Sequence, residues 1–382
     1  MQEVIEKKRC TGCTACINIC PVNAITMEID NEGFKYPAID QNKCINCGLC
    51  KKTCPVLNTI NNEALNKCYV GYTKEDSYKN GSSSGGIFPL IANYILKENG
   101  IIIGASFDKN NKLKHIAITK EKDLNKLKGS KYLQSDLDNI FTYIKDNLKA
   151  KKILFVGVPC QVAGLKAFIK NDYDNLYTID LICHGVPSPK LFEKYLKELE
   201  TKENDKVLNY NFRDKTTGWD TYSNTITYKN KIQSELNNEN NYMKLFLSDI
   251  ALRESCYNCN FKLGNKYSDI TLGDFWGVKN VYPEMYDKKG VSAIIINTEK
   301  GNKLFELIKN ELNYKSCKLD EITSGNPSLV KSSIRPNKRD EFFKNLERDT
   351  IDNLTNKYKK KNSFIKRAFN KGKRIIKRVT KI

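Results

Sequence analysis

The chain has 382 residues, 40% of them hydrophobic, with 14 cysteines, 2 histidines and a formal net charge of +20. That length allows a small module plus a larger domain, and the scarcity of histidine excludes histidine-rich zinc catalysis. The charged start "MQEVIEKKRC" has no apolar h-region, and no run of about 18 apolar residues follows, so the expectation is a cytoplasmic protein with neither signal peptide nor membrane span. Cysteines in that compartment serve as metal ligands or redox groups more often than as disulfides.

From the N-terminus, two runs share one spacing. "CTGCTACINICP" supplies Cys10, Cys13, Cys16 and Cys20 before Pro21; "CINCGLCKKTCP" supplies Cys44, Cys47, Cys50 and Cys54 before Pro55. Each reads C-x2-C-x2-C-x3-C-P. Three closely spaced thiolates wrap one cuboidal cluster, and the fourth turns away to ligate the other. Cys10, Cys13, Cys16 and Cys54 are therefore assigned to one 4Fe–4S cluster, and Cys44, Cys47, Cys50 and Cys20 to a second. Between the runs, apolar and polar residues alternate around Asn31-Glu32-Gly33, the pattern of a hairpin. Zinc knuckles are the rival reading, but zinc sites rarely use three evenly spaced thiolates and a Cys-Pro. Residues 1–58 thus resemble a bacterial two-cluster ferredoxin of α+β fold.

After a polar linker over 56–67, α/β patterning begins. A Ser/Gly turn at 81–86 leads into a helix near 87–98. Strands are predicted at 101–107, 153–157 and 177–183, with a helix between the last two, which is a right-handed parallel crossover. The fold expected is a mixed α/β domain with a largely parallel sheet, in two parts at 68–150 and 151–325. Cys160 and Cys183 then fall at the same carboxyl edge of the sheet, where open α/β sheets bind ligands. With the isolated pair Cys256 and Cys259 they form a candidate third four-thiolate site. The flanks "GVPCQ" and "CHGVPSP" have the Gly, Pro and polar content of a site loop rather than of a strand interior. Cys68 and Cys317 belong to no motif, and His115 reads as a surface strand residue.

Residues 326–382 are expected to form a basic, partly helical tail. From Lys357 to Ile382 there are 12 basic residues and no acidic one. Apolar residues recur there at three- and four-residue steps, interrupted by Gly372, as in a basic amphipathic helix. Such a helix suits an anionic membrane surface, at the inner face of the membrane, or an acidic protein. No reading motif for nucleic acid is present, and no nucleic-acid partner is expected.

Seven further stretches carry a resemblance: "SSSGGIF" (82–88), "LKGSKYLQSD" (127–136), "LFVGVPCQVAGLK" (154–166), "IDLICHGVPSP" (179–189), "FRDKTTGW" (212–219), "RESCYNC" (253–259) and "SDITLGDFWG" (268–277). In this order they are similar to the coenzyme F420 hydrogenase/dehydrogenase beta subunit family, a family of iron–sulfur flavoproteins that often has a ferredoxin repeat in front. Val158 stands where the family usually has Thr, and Lys266 where it often has Arg; neither change removes a cluster ligand.

The resemblance implies FAD beside the 4Fe–4S cluster at Cys160, Cys183, Cys256 and Cys259, and an oxidoreductase acting on a small molecule or a deazaflavin coenzyme. Alternatively the chain is an electron-transfer subunit that feeds a partner enzyme. It also implies a redox donor or acceptor protein as partner. Ser83, Ser84, Gly85 and Gly86 would hold the FAD pyrophosphate at a helix N-terminus, joined by Ser130, Lys131 and Gln134. Lys131 would steady a reduced flavin. Arg213, Lys215 and Arg253 are candidate grips on phosphate or an anionic substrate, set against ordinary surface charge. His184 would protonate substrate or hydrogen-bond the cluster sulfurs.

Overall fold

A computed structural model describes residues 3–59, 64–262 and 267–360. The expected hairpin is formed by β1 (Ile25–Ile29) and β2 (Lys35–Ile39), antiparallel with Ile25 opposite Ile39. At its turn Gly33 has φ +88°, and a Cβ there would stand 2.7 Å from the Lys190 amide nitrogen, so only glycine fits. The hairpin turn is thereby pressed onto the larger domain.

The remaining strands are β3 (Lys67–Thr73), β4 (Ile101–Phe107), β5 (Leu113–Ile118), β6 (Ile153–Gly157), β7 (Leu176–Leu181), β8 (Val207–Asp214), β9 (Ser223–Tyr228), β10 (Ile232–Leu236), β11 (Ile270–Asp274), β12 (Ser292–Ile296) and β13 (Leu312–Cys317). Eight of them make one sheet in the order β13-β3-β12-β11-β7-β6-β4-β5. The four central strands, β11-β7-β6-β4, run parallel. Antiparallel strands flank them on both sides.

Successive side chains on a strand point to opposite faces. Ile153 and Phe155 of β6 pack with Phe141, Val162, Leu165 and Phe168 on one side. Leu154 and Val156 pack with Ile91, Ile95, Leu304 and Phe305 on the other. Both faces are covered by helices, which is why the central strands read as continuous apolar runs. The ferredoxin module joins the first of these cores: Ala15 and Ile25 are buried in it, with Cys13, Cys16 and Ile17 packed alongside. β8, β9 and β10 form a separate antiparallel sheet that closes a third core with the helices Pro189–Glu203 and Asn241–Leu247.

Three expectations are corrected. The strand predicted to reach Cys183 ends at Leu181, where its register with the neighbouring strand stops opposite Leu272, and Cys183 lies in the following loop. His115 is no surface residue: it is 5% exposed, its Nε2 lies 2.9 Å from the Val156 carbonyl, and its ring stacks on Phe155. Residues 326–360 are not a free tail. The helices Arg339–Asn345 and Ile351–Tyr358 bury Phe342, Leu346, Leu354 and Tyr358 in the third core, using their apolar periodicity to pack on this chain. Beyond Lys360 the predicted amphipathic helix falls outside the described residues, as does Lys266. Among the described residues no helix is long and apolar enough to cross a membrane.

Candidate functional site

Two short helices, Ala15–Ile19 and Leu49–Lys52, follow the first cysteines of each run. Thr14 before one and Gly48 before the other take left-handed backbone, with φ of 62° and 72°, which turns each loop tightly enough to present its thiols inward. Cys10, Cys13, Cys16 and Cys54 line one enclosed cavity with Val4 and Val56, so the last cysteine of the second run meets the first three of the first. Cys50 lies near Cys44 and Cys47, and Cys20 Sγ accepts a hydrogen bond from the Ala24 amide at 3.3 Å. Burial separates the two sets: Cys10 and Cys54 are buried, whereas Cys47 is exposed, as are Lys43, Ile45, Lys51 and Lys52.

A second cavity is lined by Cys160, Cys183, Cys256 and Cys259 together. Cys160 opens the helix Pro159–Ile169 directly after β6, Cys183 follows β7, and Cys256 and Cys259 come from the single turn Glu254–Asn258 and its exit. Gly185, at φ +146°, lets the Cys183 loop approach the turn: a Cβ there would stand 2.9 Å from Leu252 and 3.3 Å from Cys256 Cβ. Amides point at two of the sulfurs, Val186 at Cys256 (3.5 Å) and Phe261 at Cys259 (3.4 Å). Burial pushes the Cys256 thiol up to about 12 and Cys160 well above the ordinary thiol value. Thiols so reluctant to ionise become good ligands only when a metal centre supplies the compensating charge. Among the described residues no three Cys, His, Asp or Glu side chains stand close enough together to hold a single ion.

The two cavities are joined by the helix Pro159–Ile169. It carries Cys160 at its start and, one turn on, Gly164 against Cys13, where an added Cβ would stand 3.0 Å from Cys13 Sγ. Residues 326–333, expected in the tail, cover the site. Ser332 Oγ accepts from the Cys259 amide at 3.0 Å, and Lys262 Nζ donates to the Ser328 and Cys183 carbonyls at 2.8 and 2.9 Å.

The flavin candidates divide into two groups. Ser83 and Ser130 meet, Oγ to Oγ, at 2.8 Å, and the Arg213 guanidinium donates to the Ser83 carbonyl at 3.1 Å. Arg213 also holds both Asp274 oxygens at 3.1 Å and lies over the Tyr222 ring at 4.0 Å. It is 4% exposed, and its Nε is a buried donor with no partner. Ser84 Oγ donates to the Val291 carbonyl at 2.7 Å, and the Gly85 amide donates to Ser292 Oγ at 3.0 Å. Gly86 precedes the helix Ile87–Lys97 at φ +83°. Ser84 Oγ and the Gly85 amide are thus engaged within the chain, which leaves the Ser83 and Ser130 hydroxyls, the helix N-terminus and the Arg213 Nε–H as the donors on which a phosphate-bearing cofactor would depend. Lys131 donates to the Lys126 and Lys128 carbonyls at 3.2 and 2.8 Å, and burial lowers its pKa to about 7.

Gln134 stands apart from that group. Its Nε2 donates to the Thr11 carbonyl at 3.1 Å and its Oε1 accepts from Arg253 at 3.1 Å, against the ferredoxin loop. His184 has one ring nitrogen 2.5 Å from Asp249 and the other 3.2 Å from Ser328 Oγ, so both are engaged away from the sulfurs. Arg213, Lys215 and Arg253 are not surface charge. Lys215 donates to the Lys79 and Ser84 carbonyls at 3.1 and 3.2 Å, and burial lowers its pKa to about 8. Sequence reasoning missed Asp274 as the partner of Arg213, and the stacked pair Trp219 and Trp276 (4.9 Å), whose Trp219 Nε1 donates to Asp274 at 2.6 Å. The available signal was that these are the two tryptophans of the chain.

The two cysteine-lined cavities, set in this fold, are those of an iron–sulfur electron-transfer protein. Residues 9–58 match the family model for a 4Fe-4S dicluster domain, and residues 150–321 match that for the carboxy-terminal part of the coenzyme F420 hydrogenase/dehydrogenase beta subunit. Residues 150–321 are thus similar to this beta subunit family, and residues 9–58 in front of them to a dicluster ferredoxin. The chain is 24% identical over 326 residues to the F subunit of the F(420)H(2) dehydrogenase of Methanosarcina mazei, spanning 81% of this chain and 85% of that one. It is also similar, at 18% identity and a TM-score of 0.49, to a chain of the F420-reducing NiFe hydrogenase complex from Methanosarcina barkeri, over 70% of this chain and 89% of that chain.

Proposed function

We propose that this chain is an iron–sulfur flavoprotein oxidoreductase that moves electrons between three 4Fe–4S clusters and FAD, and from FAD to a small molecule or a deazaflavin-type coenzyme. The observation that carries the reading is the ring of Cys160, Cys183, Cys256 and Cys259 one helical turn from Cys13. A four-thiolate centre there would continue the path from the ferredoxin module to the edge of the parallel sheet. FAD, when bound, supplies the exchange between hydride and single electrons that such a path needs. Ser83, Ser130 and the helix N-terminus after Gly86 would orient its pyrophosphate, and Arg213 would offer its unpartnered Nε. Lys131, with a pKa of about 7, can hold or release a proton near neutral pH. His184, tied to Asp249, is a candidate proton carrier for substrate.

A redox partner protein fits the exposed loop of the outer cluster, where Ile45 and Cys47 are flanked by Lys43, Lys51 and Lys52. The second reading, an electron-transfer component without substrate of its own, is favoured by the Methanosarcina mazei relative, which is by name one subunit of a dehydrogenase. The basic stretch from Lys357 onward would then serve as an address for an acidic partner or an anionic membrane surface. Anaerobic purification with iron, sulfide and flavin analysis tests the cofactor reading: about twelve iron and one FAD per chain are expected for three 4Fe–4S centres. Turnover of a deazaflavin coenzyme by the isolated, chemically reduced protein separates the two functional readings, since a pure electron-transfer component shows none.

A further inference from the structure

Arg253 is 0% exposed, and among the described residues no carboxylate pairs with it. Its donors go to neutral acceptors: Nε to the Cys10 carbonyl at 2.8 Å, one terminal nitrogen to Gln134 Oε1 at 3.1 Å, the other to the Lys35 carbonyl at 2.9 Å. That last nitrogen also faces Cys10 Sγ at 3.8 Å. The guanidinium lies 4.1 Å from the centre of the Tyr36 ring, and a Cβ on Gly12, between Cys10 and Cys13, would stand 3.1 Å from it. On its other side, the Arg253 carbonyl accepts the Cys256 amide at 2.9 Å, and the side chain borders the Cys160–Cys259 cavity. A buried ion without a counter-charge is strongly disfavoured. The negative charge nearest its terminal nitrogens is that of the Cys10 thiolate and the centre it ligates, with Cys256 of the second cavity on its other side.

We propose that Arg253 is the built-in counter-ion of the ferredoxin cluster held by Cys10, Cys13, Cys16 and Cys54, and that it raises that cluster's reduction potential. Reduction adds one electron and one negative charge to the centre. A fixed cation beside a ligand sulfur stabilises that added charge more than it stabilises the oxidised form, and a low-dielectric setting leaves the effect unscreened. Arg253 is therefore a positioning and tuning residue, acting through Cys10. The outer cluster, whose Cys47 is exposed, lacks such a buried cation among the described contacts. The inference rests on the ferredoxin part of the function proposed above and requires neither FAD nor the third cluster.

The test is a potentiometric titration of the anaerobically purified full chain, followed by electron paramagnetic resonance, with iron counted in every variant. Arg253→Gln is expected to shift the inner cluster to more negative potential and leave the outer one in place. Arg253→Lys, which keeps the charge but loses the fork of hydrogen bonds, should stay near the parent value even where it lowers thermal stability. Gln134→Glu sets a carboxylate against the guanidinium without removing it, and should shift the inner cluster in the same negative direction. An unchanged inner potential in Gln134→Glu, or an Arg253→Lys shift as large as that of Arg253→Gln, overturns the proposal and leaves Arg253 a structural pin. Should Arg253→Gln fail to retain iron, Gln134→Glu alone decides. A missing third cluster would appear in the parent's iron count and leave this comparison intact.

Discussion

Gly164 and Cys13 touch across the boundary between the α/β domain and the ferredoxin module: a Cβ on Gly164 would stand 2.9 Å from Cys13 Cβ and 3.0 Å from Cys13 Sγ. Only a bare backbone allows a helix to approach a ligand loop so closely. Gly164→Ala gains about 1 kcal/mol of helix propensity while creating that clash, so stability alone decides little. Gly164→Val has a smaller offset, and its branched Cβ worsens the clash. It is expected to displace the Cys10–Cys16 loop and release about four iron per chain. Iron analysis with resonance spectra checks this, and a full complement of iron in Gly164→Val would show the contact to be slack.

The site at the sheet edge makes a second prediction. Serine at both Cys256 and Cys259 removes two of the four thiols lining that cavity. Iron should fall by about four per chain with the ferredoxin signals retained. Loss of nearly all iron, or of none, would reject the assignment of these cysteines to a centre of their own.

Much of this was legible in the sequence because the relevant signals were periodic or local. The cysteine repeats fix their own loops, and β4 and β6 are bounded by Gly, Pro and polar residues that end apolar runs. What depends on distant partners was not legible. Nothing near Arg253 in sequence reveals that Cys10, Lys35 and Gln134 will accept its protons. The alternation around His115 suggested a solvent face, but β5 is an edge strand whose His115 turns inward onto Phe155. The apolar steps between 339 and 358 have the same spacing whether they face this chain or something else. Only the apolar surface around Tyr195 and Tyr242 made them core.

Lys131 gives a pH-dependent prediction. Burial lowers its pKa to about 7, against an ordinary value of about 10.4. Between those two values the unfolded chain binds the proton that the folded chain has lost, so stability rises with pH across that interval. Below about 7 both states carry the charge and the cost of burying it is fully present. Lys131→Met removes this cost. Its thermal unfolding temperature should exceed that of the parent at pH 6, and the advantage should shrink toward pH 10. A constant difference across that range would mean that Lys131 keeps an ordinary pKa in the fold.

The docking of the ferredoxin hairpin depends on Glu32 and Arg339. Arg339 is 0% exposed and grips Glu32 with both terminal nitrogens, at 2.8 and 2.5 Å, while also meeting Glu254 at 2.9 Å and donating to the Leu252 carbonyl. Removing the sole partner of a buried charge costs about 3–5 kcal/mol. Here Glu254 remains, so Glu32→Gln should cost less, about 1–3 kcal/mol, the range for losing a hydrogen-bonded charge interaction. Among the described carboxylates, the double change Glu32→Gln with Glu254→Gln leaves Arg339 with Asp340 alone, at 3.9 Å on an exposed side chain. Its cost should exceed the sum of the two single changes, because each carboxylate compensates for loss of the other. Anaerobic thermal unfolding measures the energies. Limited proteolysis locates the effect, since cleavage should rise first at the hairpin turn around Asn31–Gly33, which Arg339, Lys190 and Ser188 hold to the domain. Additive losses, or cleavage starting elsewhere, would show that the ion cluster does not hold the module in place.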